Sequence, residues 1–172
     1  MSLQAFDRVG RLSRYGIAAI LSCVLLVGCF EEETTGVSVI GVNHTNVDII
    51  EVSPTGGRGG VVTAYAHGTS GNVCCTTIPT RWRPDLTATI AWQDGSVEKL
   101  DSNGNIVLNN GKAILIAQPR KSKTVPIPKY DSTEDLYVHF FPNDEVKLVV
   151  SKYGPGHPKH GLPDPYIPGV SR

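Results

Sequence analysis

The sequence has no stretch longer than about eight residues in which apolar positions keep a helical spacing without a Gly, Pro or turn cluster breaking in, and this sets helical folds aside. Charge of one sign is missing as well, since 16 Lys plus Arg stand against 16 Asp plus Glu. Without a basic block or an acidic tail, a nucleic-acid partner has no electrostatic support. The longest apolar run, residues 15–27, falls short of the roughly 20 residues that span a bilayer comfortably. Cysteines are few (Cys23, Cys29, Cys74 and Cys75), and none are separated by the two residues usual in a thiol–disulfide enzyme.

Arrangements that carry chemistry are also wanting. Gly56-Gly57-Arg58-Gly59-Gly60 runs into Val61-Val62-Thr63-Ala64-Tyr65, which favours a strand, whereas a phosphate cradle needs a helix after its glycines. His67-Gly68-Thr69-Ser70-Gly71 lacks the strand–Gly-x-Ser-x-Gly–helix order of a nucleophile elbow. His157, His160 and Asp164 lie in a Pro/Gly-rich segment without the rigidity or the cysteines of a structural metal site. Asp94 with Glu98 and Asp144 with Glu145 sit in turn-like polar contexts where solvation is the default. The expectation is a chain that is not an enzyme, with no cofactor, no metal and no small-molecule substrate.

What is present begins with Arg8, Arg11 and Arg14, then the apolar run, then small residues at Leu26-Val27-Gly28-Cys29. That order is the layout of a bacterial secretory signal. The four residues resemble a lipobox, the processing signal of bacterial lipoproteins. The resemblance implies removal of residues 1–28 and acylation of Cys29 as the mature N-terminus. One acyl chain binds a membrane marginally, at about 0.8 kcal/mol per buried methylene, whereas several anchor it for good. Phe30 stands where the enterobacterial sorting pattern has an inner-membrane Asp. This implies lipid anchoring at the outer membrane, facing the periplasm. Residues 29–36 read as a polar tether, because the adjacent charges of Glu31, Glu32 and Glu33 repel and nothing apolar is there to bury. Losing Arg8, Arg11, Arg14 and Asp7 leaves 13 basic against 15 acidic residues, about −2.

The remainder is written in short extended runs rich in β-branched and aromatic residues, at 37–42, 47–52, 61–66, 73–78, 87–93, 113–118, 136–141 and 146–151. In the run Leu136 to Phe141 the period of two sets Leu136, Val138 and Phe140 against Tyr137, His139 and Phe141, as in a central strand covered on both faces. Asp94-Gly95 and Asn110-Gly111 have the chemistry of two-residue hairpin turns. The fold expected is all-β, a single β-sandwich-like domain over 37–153 with at most one short helical turn. An extended Pro/Gly-rich tail over 154–172 follows, laid on the domain or free.

Three features invite functional readings. Cys74-Cys75 forms either a vicinal disulfide, which requires a distorted turn, or two small buried apolar residues facing opposite sides. Arg81-Trp82-Arg83 suits an interface hot spot, and equally a sandwich edge with the indole inward. His139, among aromatic residues, reads as a hydrogen-bonded histidine rather than a base.

The blocks Val73-Cys74-Cys75-Thr76-Thr77-Ile78-Pro79-Thr80-Arg81-Trp82-Arg83-Pro84, Val125-Pro126-Ile127-Pro128-Lys129-Tyr130 and Asp135-Leu136-Tyr137-Val138-His139-Phe140-Phe141-Pro142, with Ser151-Lys152-Tyr153-Gly154-Pro155 and His157-Pro158 after them, resemble a family of small proteobacterial lipoproteins. That family is catalogued as domain of unknown function 3304. Its members often lie near genes for type VI secretion lipase effectors, so the resemblance implies a protein-binding immunity lipoprotein whose partner is a secreted lipase toxin. A structural envelope lipoprotein is the other reading. Arg58, Arg81, Trp82 and Arg83 are the candidate contact residues, because arginine and tryptophan dominate hot spots.

Overall fold

The computed structural model describes residues 32–54 and 62–166. Cys29, the signal segment, Arg58 with its glycine-rich loop and the last six residues lie outside them. The strands in chain order are β1 (Thr34–Asn43), β2 (Ile49–Pro54), β3 (Val62–Ala64), β4 (Gly68–Thr69), β5 (Val73–Pro79), β6 (Thr87–Asp94), β7 (Val97–Glu98), β8 (Leu108–Asn109), β9 (Lys112–Ala113), β10 (Leu115–Ile116), β11 (Arg120–Pro126), β12 (Leu136–Phe141) and β13 (Glu145–Val150). No helix occurs among the described residues, and the fold is all-β and sandwich-like.

One sheet runs β13-β12-β1, with β4 and β5 both pairing β1 on its far side. The other runs β11-β6-β2-β3. Their inner faces meet in one hydrophobic cluster, to which Val37, Val39, Val138, Phe140 and Leu148 come from the first sheet and Val52, Ile90, Trp92 and Val125 from the second. Trp92 is 2 % exposed and its ring lies 5.5 Å from that of Phe140. Alternation along the strands puts these side chains on one face, and burying a large apolar side chain contributes about 1.5–3 kcal/mol each. The β1–β12 pair is parallel, Val39 opposite Leu136 through Asn43 opposite Phe140. Lys121 of β11 reaches Asp94 at 2.7 Å and Asp144, in the β12–β13 turn, at 2.6 Å, which ties the two sheets together at this side.

β12 is buried at every position except Phe141. Its outer face is covered by the Pro/Gly-rich segment, where His160 is 2 % exposed and Pro165 is buried. That segment is therefore laid over the domain as far as residue 166. Its prolines and glycines prevent it from competing for a place in the sheet.

Several expectations need correction. Thr34, Thr35 and Gly36 belong to β1 rather than to the tether, because Thr34–Gly36 pair with Gly-free β5 across Thr77–Pro79. Asp94-Gly95 is not a hairpin turn. Gly95 instead donates its N–H to Asp48 O at 2.7 Å, and the chain leaves the sheet. A Cβ at Gly95 would stand 3.3 Å from Asp48 O, so glycine serves a close approach here. The run 113–118 holds β10 and only the end of β9. β11, Arg-Lys-Ser-Lys-Thr-Val-Pro, went unread because its charges and its proline are edge-strand features. Asn110-Gly111 does turn a hairpin, with φ of 50° and 74° and Asn109 opposite Lys112.

Candidate functional site

Among the described residues, the paired cysteines, Trp82 with its flanking arginines, and Ser70 do not converge on one site. Cys74 and Cys75 are joined as a disulfide between chain neighbours, and both are exposed on β5, which overturns the reading of two buried thiols. Trp82 packs against the hydrophobic cluster, and its Nε1–H donates to Ile127 O at 2.9 Å. Its indole is a part of the sandwich rather than a free anchor. Arg81 and Arg83 are exposed, and Arg83 Nε lies 3.2 Å from Asp85 Oδ1. Ser70 is structural, accepting the Gly41 N–H at 2.7 Å and donating to Gly71 O at 2.8 Å.

An exposed apolar surface lies elsewhere, on an arm between β6 and β11. β7 pairs with β10, β8 with β9, and Leu100 bridges Ile106, so three short segments hydrogen-bond to one another. Asp101 shapes one tip by accepting the N–H groups of Asn103 and Asn105 at 2.8 and 2.9 Å, which holds its carboxyl below the usual carboxylate range. Asn110-Gly111 shapes the other. No residue from 96 to 117 is buried. Yet Val97, Leu100, Ile106, Leu108, Leu115 and Ile116 are there, each more than 40 % exposed, with Leu115 reaching 62 %. Scattered apolar residues on a surface are ordinary, whereas these six lie on one arm that has no core of its own. Glu98, Lys99, Asp101 and Lys112 balance in charge, so what the arm offers is apolar area. Periodicity in the sequence marked only its last segment as a strand, and its exposure could not be seen because it depends on what fails to pack against it.

The second constellation is a line of three histidines on the outer face of β12. His44 Nε2 lies 2.9 Å from His139 Nδ1, and His139 Nε2 lies 2.8 Å from His160 Nε2. His160 Nδ1 lies 2.6 Å from Tyr153 O. The carbonyl can only accept, so His160 carries its proton on Nδ1 and, when neutral, accepts at Nε2. His139 must then donate from Nε2 and accept at Nδ1 from the His44 Nε2–H. One tautomer of each ring follows from the network. His139 is fully buried, and burial, then His160, then His44 push its pKa down to about 3. Burial also lowers His44, with His67 adding to the effect and Asp164 opposing it. The rings stand in line with their nitrogens turned to one another, and among the described residues no group of three or more His, Cys, Asp or Glu is placed to hold a metal ion. The line fastens the C-terminal segment to the central strand and to the loop after β1. His44 was not among the sequence candidates, since 95 residues separate it from His139.

A family model described as "Protein of unknown function (DUF3304)" matches residues 42–148. No curated protein and no solved structure matches the chain.

Proposed function

The chain belongs to the DUF3304 family, and on that premise we propose that it is a membrane-anchored lipoprotein acting as a non-enzymatic protein-binding module, an immunity protein that neutralises a secreted lipase effector. The observation that carries this reading is the apolar arm at 96–117, with six large exposed side chains and no core. A lipase admits acyl chains, so the mouth of its active site is apolar, and an arm of balanced charge with exposed Leu and Ile is complementary to such a mouth. Occlusion needs a surface of about 800 Å² on each partner. Acylation at Cys29 at the outer membrane would hold the module in the periplasm, where such an effector acts.

The test is a competition. A strain lacking this gene and any tandem copies is challenged by a sister strain secreting the lipase effector encoded alongside, then complemented with wild type or with Leu108→Lys/Leu115→Lys. Wild type should restore survival and the arm variant should not, although both are folded and equally abundant. Survival of the deletion strain at the wild-type level would remove the immunity reading and leave that of a structural envelope lipoprotein.

A further inference from the structure

The end strands of the two sheets, β11 and β13, run beside each other on one side of the sandwich. The C-terminal segment borders this side and lines an open groove of about 500 Å³, within the range of about 300–1,000 Å³ usual for small-molecule sites. Val125 and Leu148, 5 % and 4 % exposed, line it, as does Leu162 of the C-terminal segment. Lys129, Lys147 and Lys159 stand among the lining residues, which include no Asp or Glu. Lys147 is shared with Glu145 at 2.9 Å, but no carboxylate pairs with Lys129 or Lys159 among the described residues.

We propose that this groove binds a long-chain fatty acid, its apolar chain against Val125, Leu148 and Leu162 and its carboxylate at Lys129 and Lys159. The charge and apolarity of the lining favour such an occupant. His160 has both ring nitrogens engaged with His139 and Tyr153, and Ser151 Oγ accepts the Tyr153 N–H at 3.0 Å. On the β11 side, Pro126 and Pro128 have no N–H to offer an added strand. An occupant with an apolar body and a single anionic end finds a partner for each part. The groove does not include the arm, so binding here is separable from binding of a protein.

The test uses the full chain carrying Cys29→Ser, so that no acyl group of its own is present, in calorimetric titrations below micelle concentrations. Dodecanoate should bind saturably at one site, with about fourfold gain for each methylene added from decanoate upward, and acetate should not bind. Lys129→Gln/Lys159→Gln should weaken dodecanoate about five- to tenfold and leave dodecanol unchanged. Leu162→Trp, at a half-buried position outside the sheets, should block the groove with the circular dichroism spectrum intact. Absence of saturable binding, equal affinity for acid and alcohol, preference for lysophosphatidylglycerol over dodecanoate, or full dodecanoate binding by Leu162→Trp would each overturn the proposal.

Discussion

His139 shows how a polar side chain persists in the interior of a small sandwich. Both of its nitrogens are engaged by neighbouring rings, and its pKa of about 3 stands against an ordinary 6.5. Between those two values the unfolded chain takes up a proton that the folded chain refuses. The stability is therefore fully present above about pH 6.5 and falls by about 1.4 kcal/mol per pH unit as pH drops toward 3. From pH 6.5 to 5 this residue should remove about 2 kcal/mol. His44 and His160 face His139 directly, and Tyr137 packs edge-on against His160. Urea titrations at pH 7 and pH 5 should show this slope in wild type and a shallower one in His139→Asn, which will also be less stable at pH 7. Asn43 is a second such residue. It is fully buried, donates to Val47 O at 2.7 Å and Ala64 O at 3.0 Å, and accepts the Thr45 N–H at 2.8 Å. Asn43→Ala strands the carbonyls it caps, and should lower unfolding free energy by about 2–3 kcal/mol in the same titration.

Among the elements, the arm and β12 are opposites. β12 is covered on both faces and paired on both edges, whereas the arm from 96 to 117 buries nothing. Its base is closed by Gln93, whose side-chain N–H donates to Gln118 O at 2.6 Å, so the chain enters and leaves at neighbouring points. Replacing 96–117 with a short Gly/Ser linker should therefore shift stability by about 1 kcal/mol or less, moving Tm by no more than about 5 °C. A thermal melt followed by circular dichroism checks this. A collapse of the fold would mean that the arm is a structural member and not a contact surface.

For the molecule as a whole, anchoring and folding should be separable. Among the described residues each sheet takes its strands from Thr34 onward, and the cluster that joins the sheets begins at Val37. Cys29→Ser should therefore abolish fatty-acid labelling. Its Tm should stay unchanged. Equal labelling of wild type and variant would remove the lipoprotein reading of Leu26-Val27-Gly28-Cys29.

The sequence by itself determined the class of fold and the position of most strands, because a period of two and turn chemistry are local properties that few neighbours can override. Leu136 to Phe141 announced a strand with two covered faces, and Asn110-Gly111 announced its hairpin. Only the tertiary structure decided the rest. The parallel pairing of β1 with β12 joins segments about a hundred residues apart, and no local signal encodes it. Asp94-Gly95 had the composition of a hairpin but answers to a contact with Asp48. The histidine line depends on three distant stretches arriving at one sheet face, and its tautomers on a carbonyl in a fourth. The exposed arm and the lysine-rimmed groove depend on what does not cover them. Sequence specifies which residues prefer burial, but which of them remain uncovered is settled when the whole chain has packed.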